Sequence, residues 1–178
     1  PPRPPAAGRR KLTPVGADTC MRCGKPVPEG AAEYCYDCAS KQESSFERGV
    51  SVFLYEGDIR ESMVRFKFHG REEYGAWYAG ELLAAQGAKL RAFGADAVIP
   101  VPIHRRKMRR RGYNQAERIA RVLAEELNLP LYDDYLRRNR FTVPQKELSN
   151  HERVRNLMRA LEPGRQADRL RKQQKTPR

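Results

Sequence analysis

The stretch from Ala95 to Gln115 constrains the fold more strongly than any other part of this sequence. It contains a short apolar run with β-branched residues, Ala97 to Val101, bounded by a glycine and by prolines, which is typical of a buried strand. Six cations follow within residues 104–111, and apolar residues then recur at helical spacing from Ala116 to Leu127. The pattern predicts a strand that ends in a basic loop and leads into the start of a helix.

This basic loop is expected to bind an anion. In open α/β sheets, ligands gather outside the carboxyl ends of the strands, and helix starts and guanidinium groups both suit phosphate oxygens. The cations predicted to face the ligand flank the turn: Arg105, Arg106 and Arg111. The others are expected only to be exposed: Lys107, Arg109 and Arg110. The alternative is a solvated patch or a general nucleic-acid contact, which is what most runs of like charge are.

The net charge of +13 is concentrated in three segments. Residues 1–14, 104–111 and 163–178 together hold sixteen cations and one acid, so the rest of the chain has 19 cations and 21 acids and is close to neutral. The two terminal segments are typical of solvated arms, and only the middle one lies where a folded site could use it. No apolar stretch approaches the ~18–20 residues of a membrane helix, so we expect a soluble, cytoplasmic protein without membrane insertion.

A Pro-rich lead-in, residues 1–17, is expected to be disordered. Two Cys-x-x-Cys pairs follow, Cys20 with Cys23 and Cys35 with Cys38, separated by eleven residues. Two residues between cysteines let both thiolates reach one ion from a tight turn, and four thiolates form a closed tetrahedral site suited to Zn²⁺. The spacing therefore predicts a zinc ribbon over residues 18–49, with a structural metal and no open position for catalysis.

Two disulfides or a redox-active Cys-x-x-Cys are the alternatives to zinc. All four cysteines lie within nineteen residues of a chain that has no others, which argues against a disulfide scaffold. A thioredoxin-type site would have one pair at a strand-to-helix junction rather than two pairs in a loop. Zinc is therefore the preferred interpretation.

The segment between the cysteines and the basic run predicts a strand and two helices. Residues 50–55 alternate as a strand or hairpin arm does. Apolar residues then mark a short helix that ends near Gly70 and a second helix that is closed by Gly87. Lys67 and His69, at the end of the first helix, receive no site role. The aromatic residues of the second helix are expected to be core: Tyr74, Trp77 and Tyr78.

The last third of the sequence predicts a loop, a helix and a tail. Leu136 to Gln145 mixes cations, a hydroxyl and an amide without periodicity and is expected to be a mobile loop. Ser149 and Glu152 have capping-box spacing, and the apolar residues behind them predict a helix. From Pro163 onward the sequence turns polar and basic, which predicts a tail over residues 163–178.

The ordered series of these motifs resembles the ComF family, the competence-associated members of the phosphoribosyltransferase-like group. Besides the four-cysteine element, the resemblance rests on Tyr55-Glu56-Gly57, Lys67, Pro100-Val101-Pro102, Arg111-Gly112-Tyr113-Asn114-Gln115, Arg140-Phe141-Thr142, Gln145, Leu148, Arg153 and Asn156. It covers about residues 18–161. It implies an α/β fold over residues 50–162, with a partial type I phosphoribosyltransferase-like parallel sheet and flanking helices.

The same resemblance implies a function. Family members are associated with competence and DNA uptake, and the fold implies binding of phosphoribosyl diphosphate or a related phosphate, with competence-machinery proteins as further partners. The implied pyrophosphate-side residues are Arg105, Arg106, Arg111, Gly112, Asn114 and Gln115. The implied flexible-loop residues are Arg140, Thr142 and Gln145.

One segment of the family pattern is missing from the sequence. The family continues with an apolar strand that ends in two adjacent acids and a Thr/Gly-rich turn, which wraps the ribose and the 5-phosphate, and this chain contains no such turn. We therefore interpret the chain as C-terminally truncated and not competent as a transferase. We expect Mg²⁺ to bind with phosphoribosyl diphosphate only in a full-length form. The strand Ala97 to Val101 would then have one poorly covered edge.

A zinc-dependent nucleic-acid-binding adaptor is the competing interpretation. Zinc knuckles and basic arms occur together in such proteins, and single-strand binders pair cations with aromatic rings. The rings available for stacking on single-stranded DNA would be those of Tyr34, Tyr36 and Tyr113. The two functions need not exclude each other.

Overall fold

The structure, a computed structural model, describes residues 12–28, 30, 33–40, 45–142, 148–158 and 160–168. In chain order the elements are α1 (Tyr36–Ala39), α2 (Gly57–Phe68), α3 (Tyr74–Ala92), α4 (Arg105–Arg111), α5 (Gln115–Leu127), β1 (Leu136–Arg138), α6 (Asn150–Met158) and β2 (Leu161–Pro163). The described part of the chain is thus a mixture of helices with a small two-stranded sheet. No described helix combines the length and the apolar character that crossing a bilayer requires.

An aromatic core holds α2, α3 and the start of α5 together. The ring of Phe66 is fully buried and lies 5.6 Å from the ring of Tyr78 and 5.8 Å from that of Tyr113, centroid to centroid. The buried members of this core are Ile59, Phe66, Tyr74, Trp77, Tyr78 and Tyr113. The prediction that the aromatic residues of α3 belong to the core is confirmed.

Helix α3 packs closely against α5 because Gly75 offers no side chain at the contact. A Cβ atom at Gly75 would lie 2.7 Å from the Cβ atom of Arg118, closer than real carbon atoms approach. The periodicity predicts the start of α3 but places its end at Gly87, whereas the helix runs to Ala92. A glycine inside a helix costs only ~1 kcal/mol, and the chain leaves the helix at Gly94, which has a φ of 62°.

The basic run is a helix and not the loop that the sequence predicts. Helix α4 begins after His104, whose Nδ1 accepts a hydrogen bond from the Arg106 N–H at 3.2 Å. It ends at Gly112, which adopts the left-handed conformation at a φ of 87° and donates its N–H to the Met108 carbonyl oxygen at 2.8 Å. Arginine and lysine are good helix formers. Two caps therefore make a short helix of a run that has no apolar period.

The strand predicted over Ala97 to Val101 is reduced to one pairing. Val98 forms a parallel bridge with Leu131, and this bridge is the part of the expected parallel sheet that the described residues contain. Ile99 and Val101 are 39% and 59% exposed, so the run is not buried as predicted. A proline lies between them, and proline cannot donate a hydrogen bond to a sheet ladder.

Part of the predicted lead-in is ordered and paired with the segment before α2. The Val15 N–H donates to the Val52 carbonyl oxygen at 2.7 Å, and the Leu54 N–H donates to the Thr13 carbonyl oxygen at 2.9 Å. The prediction of disorder as far as residue 17 is therefore wrong for residues 12–17. The predicted extended arm before α2 is confirmed by the same hydrogen bonds.

Residues 161–168 fold back onto the chain, although the sequence predicts a tail from residue 163. Strand β2 pairs with β1 in antiparallel register. The side-chain oxygen of Gln166 accepts a hydrogen bond from the Asp134 N–H at 2.8 Å. Gly164 lies so close to Asp134 that a Cβ atom there would be 2.0 Å from the Asp134 carbonyl oxygen. These contacts exclude a tail over residues 163–168.

Helix α6 begins with the predicted capping box. The Ser149 N–H donates to the Glu152 carboxylate at 2.9 Å, and the Glu152 N–H donates to the Ser149 hydroxyl at 3.4 Å. Each side chain thus satisfies a backbone N–H that the first turn of the helix leaves without a partner.

The cysteine segment meets the rest of the chain at two glycines. A Cβ atom at Gly24, whose φ is 70°, would lie 2.8 Å from the Gly49 carbonyl oxygen, and a Cβ atom at Gly49 would lie 3.0 Å from the Cys23 carbonyl oxygen. The two backbones can approach this closely because neither position carries a side chain.

Candidate metal centre and phosphate-binding surface

The four cysteines converge as the spacing predicts. The sulfur atoms of Cys20, Cys23, Cys35 and Cys38 all lie within 4.8 Å of one another, and none of the four forms a disulfide. The Cys23 and Cys35 sulfurs are 3.7 Å apart. In a tetrahedral site with metal–sulfur bonds of about 2.3 Å, the sulfurs are about 3.8 Å apart. The cluster is therefore able to hold a metal ion.

Tight turns in the backbone bring each pair of thiols together. The Gly24 N–H donates to the Cys20 carbonyl oxygen at 2.9 Å, which closes the first turn, and the Cys38 N–H donates to the Cys35 carbonyl oxygen at 2.9 Å, which closes the second. The second turn is also the start of α1. A separate bond, from the Met21 N–H to the Glu33 carbonyl oxygen at 3.0 Å, links the two turns.

The thiols of this cluster do not titrate alike. Burial raises the pKa of a thiol, but at Cys20 hydrogen bonds with the backbone of Cys23, Cys35 and Arg22 outweigh burial and lower the pKa to about 6. Burial raises the pKa of Cys23. Burial and hydrogen bonds with the other thiols raise the pKa of Cys38 to about 12. A divalent cation would stabilise all four as thiolates, because it supplies the positive charge that the cluster lacks.

The predicted phosphate-binding arginines differ in exposure. Arg105 and Arg106 are exposed on α4, whereas Arg111 is half-buried at the end of the helix. The pKa of Arg111 is lowered, chiefly by burial. Its guanidinium group lies 5.2 Å from the centroid of the Phe68 ring and donates to the side-chain oxygen of Gln115. Of the three arginines, Arg111 is thus the one that is half-buried and that donates a hydrogen bond to a neighbouring side chain.

Gln115 also connects this arginine to α2. Its side-chain NH₂ donates to the Phe66 carbonyl oxygen at 3.2 Å, and the hydroxyl of Tyr113 donates to the same oxygen. Phe66 lies in the last turn of α2, where carbonyl groups have no partner within the helix. The end of α2 and the end of α4 are thereby held together.

Asn114 and Gly112 complete the turn between α4 and α5. The Asn114 side-chain oxygen caps α5 by accepting a hydrogen bond from the Ala116 N–H at 3.2 Å, and its NH₂ donates to the Val101 carbonyl oxygen at 3.1 Å. Asn114 is also buried. In this structure Asn114, Gln115 and Gly112 position the backbone and Arg111, and their role in contacting a phosphate stays a prediction.

The described part of the predicted flexible loop lies against α4. The Phe141 ring is 5.4 Å from the His104 ring and 5.7 Å from the charged groups of both Arg106 and Lys107. Thr142 is buried and accepts a hydrogen bond from Arg138. The remaining two predicted loop residues are Arg140, which is exposed, and Gln145, which lies outside the described residues.

Sequence reasoning missed three half-buried cations of this surface, one each from α2, α4 and β1. Lys107 is half-buried rather than simply exposed, and Lys67, which received no site role, lies next to Arg111. Arg138 was not selected from the mixed loop segment. The cationic run carried no signal that distinguishes the two sides of α4, since the helix itself was not predicted. The link between Lys67 and Arg111 depends on how α2 and α4 pack.

A cluster of four thiols joined to a helical body with a polycationic helix defines a candidate metal-binding protein with a strongly cationic surface. The chain is 32% identical to "Competence protein F" of Haemophilus influenzae over 144 aligned residues. The aligned region covers 79% of this chain and 62% of that protein. It is 31% identical over 144 residues to "DNA utilization protein YhgH" of Salmonella typhimurium, which covers 79% and 63%. It is 26% identical over 136 residues to "Competence protein ComFC" of Bacillus subtilis, which covers 74% and 54%.

These relatives support the ComF family that the motif series indicates. The chain spans between about half and two thirds of the length of these curated relatives. No family model matches it, and no solved structure does.

Proposed function

We propose that this chain is a ComF-type protein of the DNA-uptake apparatus that binds the phosphate groups of phosphoribosyl diphosphate or a related phosphate. The observation that carries the proposal is the position of Arg111. Its guanidinium group is half-buried at the junction of α2, α4 and α5, is oriented by Gln115, and forms no ion pair with a carboxylate of the described residues. Oriented guanidinium groups with free donors suit phosphate oxygens.

The phosphoribosyltransferase-like arrangement is part of the same proposal. The extended segment around Val98 pairs in parallel with Leu131 and leads into α4, and this order supports a ligand at the carboxyl end of a strand. The cytoplasmic location belongs to the proposal as well. Mg²⁺ belongs to the proposal only as a companion of the diphosphate.

Titration calorimetry with phosphoribosyl diphosphate at low salt tests the proposal. The wild-type chain should bind, and Arg111→Gln should weaken binding about tenfold or more, which is about 1.4 kcal/mol. Arg109→Gln is the matched control, because Arg109 is on the same helix but exposed, and it should stay within about twofold. A wild-type chain that binds neither phosphoribosyl diphosphate nor pyrophosphate would refute the function.

For the cysteine cluster we propose a structural Zn²⁺. The four ligands would be Cys20, Cys23, Cys35 and Cys38, which leave no open position for a substrate. The support is the donor set of four thiols and the sulfur separation of 3.7 Å. When bound, the ion would stabilise the fold of the cysteine segment and supply no chemistry to a substrate.

A second candidate function, binding of single-stranded DNA, is supported by three exposed rings that each lie beside a cation. The Lys67 ammonium lies 5.9 Å from the centroid of the Tyr55 ring. The Arg111 guanidinium group lies 5.2 Å from that of the Phe68 ring, and the Lys107 ammonium lies 5.7 Å from that of the Phe141 ring. Alternation of cations and rings is typical of single-strand binders.

The rings selected from the sequence for this second function need one correction. Tyr113 is 5% exposed and part of the core, so it cannot stack on a base, whereas Tyr34 and Tyr36 are exposed. Fluorescence anisotropy with a labelled oligothymidylate tests the function. Phe68→Ala with Phe141→Ala should weaken binding, while Phe46→Ala, an exposed ring elsewhere, should not.

A further inference from the structure

A groove lies between the cysteine segment and the second half of α3, and we call it the cysteine–α3 groove. It contains a cavity of about 910 Å³, and a second cavity of about 350 Å³ shares four of its wall residues: Glu47, Arg48, Ala92 and Phe93. Pockets of roughly 300–1,000 Å³ hold drug-sized ligands, so the groove has room for several side chains. None of the described residues that line it belongs to α2, α4 or α5. It is therefore separate from the phosphate-binding surface.

Both sides of the cysteine–α3 groove are attached to the segment before α2. The side-chain NH₂ of Gln86, on α3, donates to the Ser51 carbonyl oxygen at 3.0 Å. On the other side, Gly24 meets Gly49 backbone to backbone, with only 2.8 Å between a Cβ atom built at Gly24 and the Gly49 carbonyl oxygen. The groove is thus formed before a partner arrives, which reduces the entropy lost on binding.

The walls of the groove are rich in the residue types that protein–protein interfaces favour. Met21, Phe46 and Tyr34 are 64%, 50% and 40% exposed, and clusters of exposed apolar side chains mark interaction sites. Aromatic residues, methionine and arginine are enriched at interfaces, whereas lysine and glutamate are depleted. The groove has six residues of the first kind: Met21, Arg22, Tyr34, Phe46, Arg48 and Phe93. It has two of the second kind: Glu47 and Lys89.

The charges along the groove favour an acidic partner. Three cations and one acid line it: Arg22, Arg48, Lys89 and Glu47. Among the residues that the structure describes, no carboxylate forms an ion pair with Arg48 or Lys89. Carboxylates of a partner would complement these two cations. The ends of this chain do not fit, because residues 1–11 have four cations and no acid and residues 169–178 have five and none.

A nucleic-acid strand fits the groove less well than a protein segment does. The Glu47 carboxylate lies in the wall and would repel a phosphate backbone, whose binding depends on neutralisation by cations. The Arg22 guanidinium group lies over the Tyr34 ring, 5.4 Å from its centroid, so it competes for a ring face on which a base would stack.

We propose that the cysteine–α3 groove binds an acidic peptide segment of a partner protein. An aromatic or large aliphatic side chain of that segment packs among Met21, Tyr34 and Phe46, and its carboxylates pair with Arg48 and Lys89. The second cavity extends the groove along residues 47–48 and 92–93, which suits a length of chain rather than a single side chain. This interaction does not depend on phosphate binding.

Selection of short random peptides displayed on phage, with the full chain as the target, tests the proposal. The enriched peptides should be acidic and contain an aromatic or large aliphatic residue. One of them is then synthesised with a fluorescent label, and fluorescence anisotropy gives its affinity for wild type and for variants. Pyrophosphate should not displace it, because the groove is separate from α4.

Two variants that each reverse two positive charges locate the binding site. The groove variant is Arg48→Glu with Lys89→Glu, and the control is Arg60→Glu with Arg91→Glu, exposed cations that do not line the groove. The groove variant should lose about tenfold or more in peptide affinity and the control about twofold or less. Phe46→Ala, which changes no charge, should also weaken binding. Because these side chains are exposed, the melting temperature should stay the same.

The other outcomes overturn the proposal. Selection that enriches no acidic peptide, or a peptide affinity that both charge variants reduce equally, excludes a specific acidic partner in the groove. If the groove variant melts at a lower temperature, Phe46→Ala decides, and an unchanged peptide affinity in that variant refutes the site. If oligothymidylate displaces the peptide and loses affinity in the groove variant, the groove binds single-stranded nucleic acid instead. Displacement by pyrophosphate would move the peptide to the phosphate-binding surface.

Discussion

The carbonyl oxygen of Phe66 accepts a hydrogen bond from the side-chain NH₂ of Gln115, with nitrogen and oxygen 3.2 Å apart. These residues are 49 positions apart in the chain, so the bond fixes tertiary rather than local structure. Because the side-chain oxygen of Gln115 accepts from Arg111, one amide joins the end of α2 to the guanidinium group that the proposed function requires.

Loss of one of the two donors to the Phe66 carbonyl oxygen should have little effect on stability, and loss of both should have a large one. Tyr113→Phe and Gln115→Met each leave one donor in place, so each should lower the free energy of unfolding by about 1 kcal/mol or less. The double variant leaves the buried oxygen without a partner and should cost more than the sum of the two. Urea unfolding of the four proteins measures this, and strictly additive losses would contradict the shared-acceptor arrangement.

The contact between α3 and α5 should not tolerate a methyl group at Gly75. Gly75→Ala would place its Cβ atom 2.7 Å from that of Arg118, so the two helices must separate, at a cost of about 1–3 kcal/mol. Gly80→Ala is the matched control on the same helix, where a Cβ atom meets nothing within 4 Å. This control should stabilise the protein by about 0.5–1 kcal/mol. Equal effects of the two substitutions in thermal unfolding would count against the close packing.

The purified chain should contain one tightly bound zinc ion, measured by atomic emission. Cys20→Ser should lose it, whereas Met21→Ser, an exposed neighbour in the same turn, should keep it. Cobalt substituted for zinc should give the visible absorption of a tetrahedral thiolate site. Chelation should expose residues 18–40 to protease but leave most of the far-ultraviolet helix signal, since no cysteine belongs to the aromatic core.

Stability should fall as the pH drops below about 6.5, the ordinary pKa of histidine, because of His104. Burial and then the charges of Arg105, Arg106 and Arg138 lower the pKa of His104 in the folded chain. The unfolded chain therefore binds the proton first. The stabilisation is complete above about pH 6.5 and is lost progressively as the pH falls from there towards the lowered folded pKa. Urea midpoints between about pH 7.5 and 5.5 measure it.

Two substitutions check the assignment to His104. His104→Asn retains an N-cap acceptor for α4 and should flatten the pH dependence in this range. His69→Asn removes an exposed imidazole at the end of α2 and should leave the wild-type profile unchanged. A profile that is altered by His69→Asn and not by His104→Asn would contradict the prediction.

Local signals in the sequence predicted the parts of this fold that depend on neighbouring residues. The apolar spacing of α2 and α5, the capping box at Ser149, and the two cysteine pairs each act within one or two turns of chain. The helical state of residues 105–111 was missed because its determinants are the cap residues His104 and Gly112 rather than an apolar period.

Long-range contacts account for what the sequence could not predict. Gly164 has an ordinary polar setting in the sequence, and the chain is ordered there because of the β1–β2 pairing and of the contacts that Gly164 and Gln166 make with Asp134. Lys67 likewise becomes a candidate site residue because Arg111, which lies 44 positions further along the chain, acts on its charge. Charge in a sequence can be counted, but the side of a helix on which it is withdrawn from water depends on packing.

The glycine pair between the cysteine segment and the chain before α2 limits how this protein can be re-engineered. Since Gly24 and Gly49 meet backbone to backbone, the cysteine segment is not an interchangeable cassette. A module grafted from another protein would need glycine at both positions and the left-handed conformation at Gly24. Without them, the backbones would separate, and the hydrogen bond between Val15 and Val52, just before α2, would be lost.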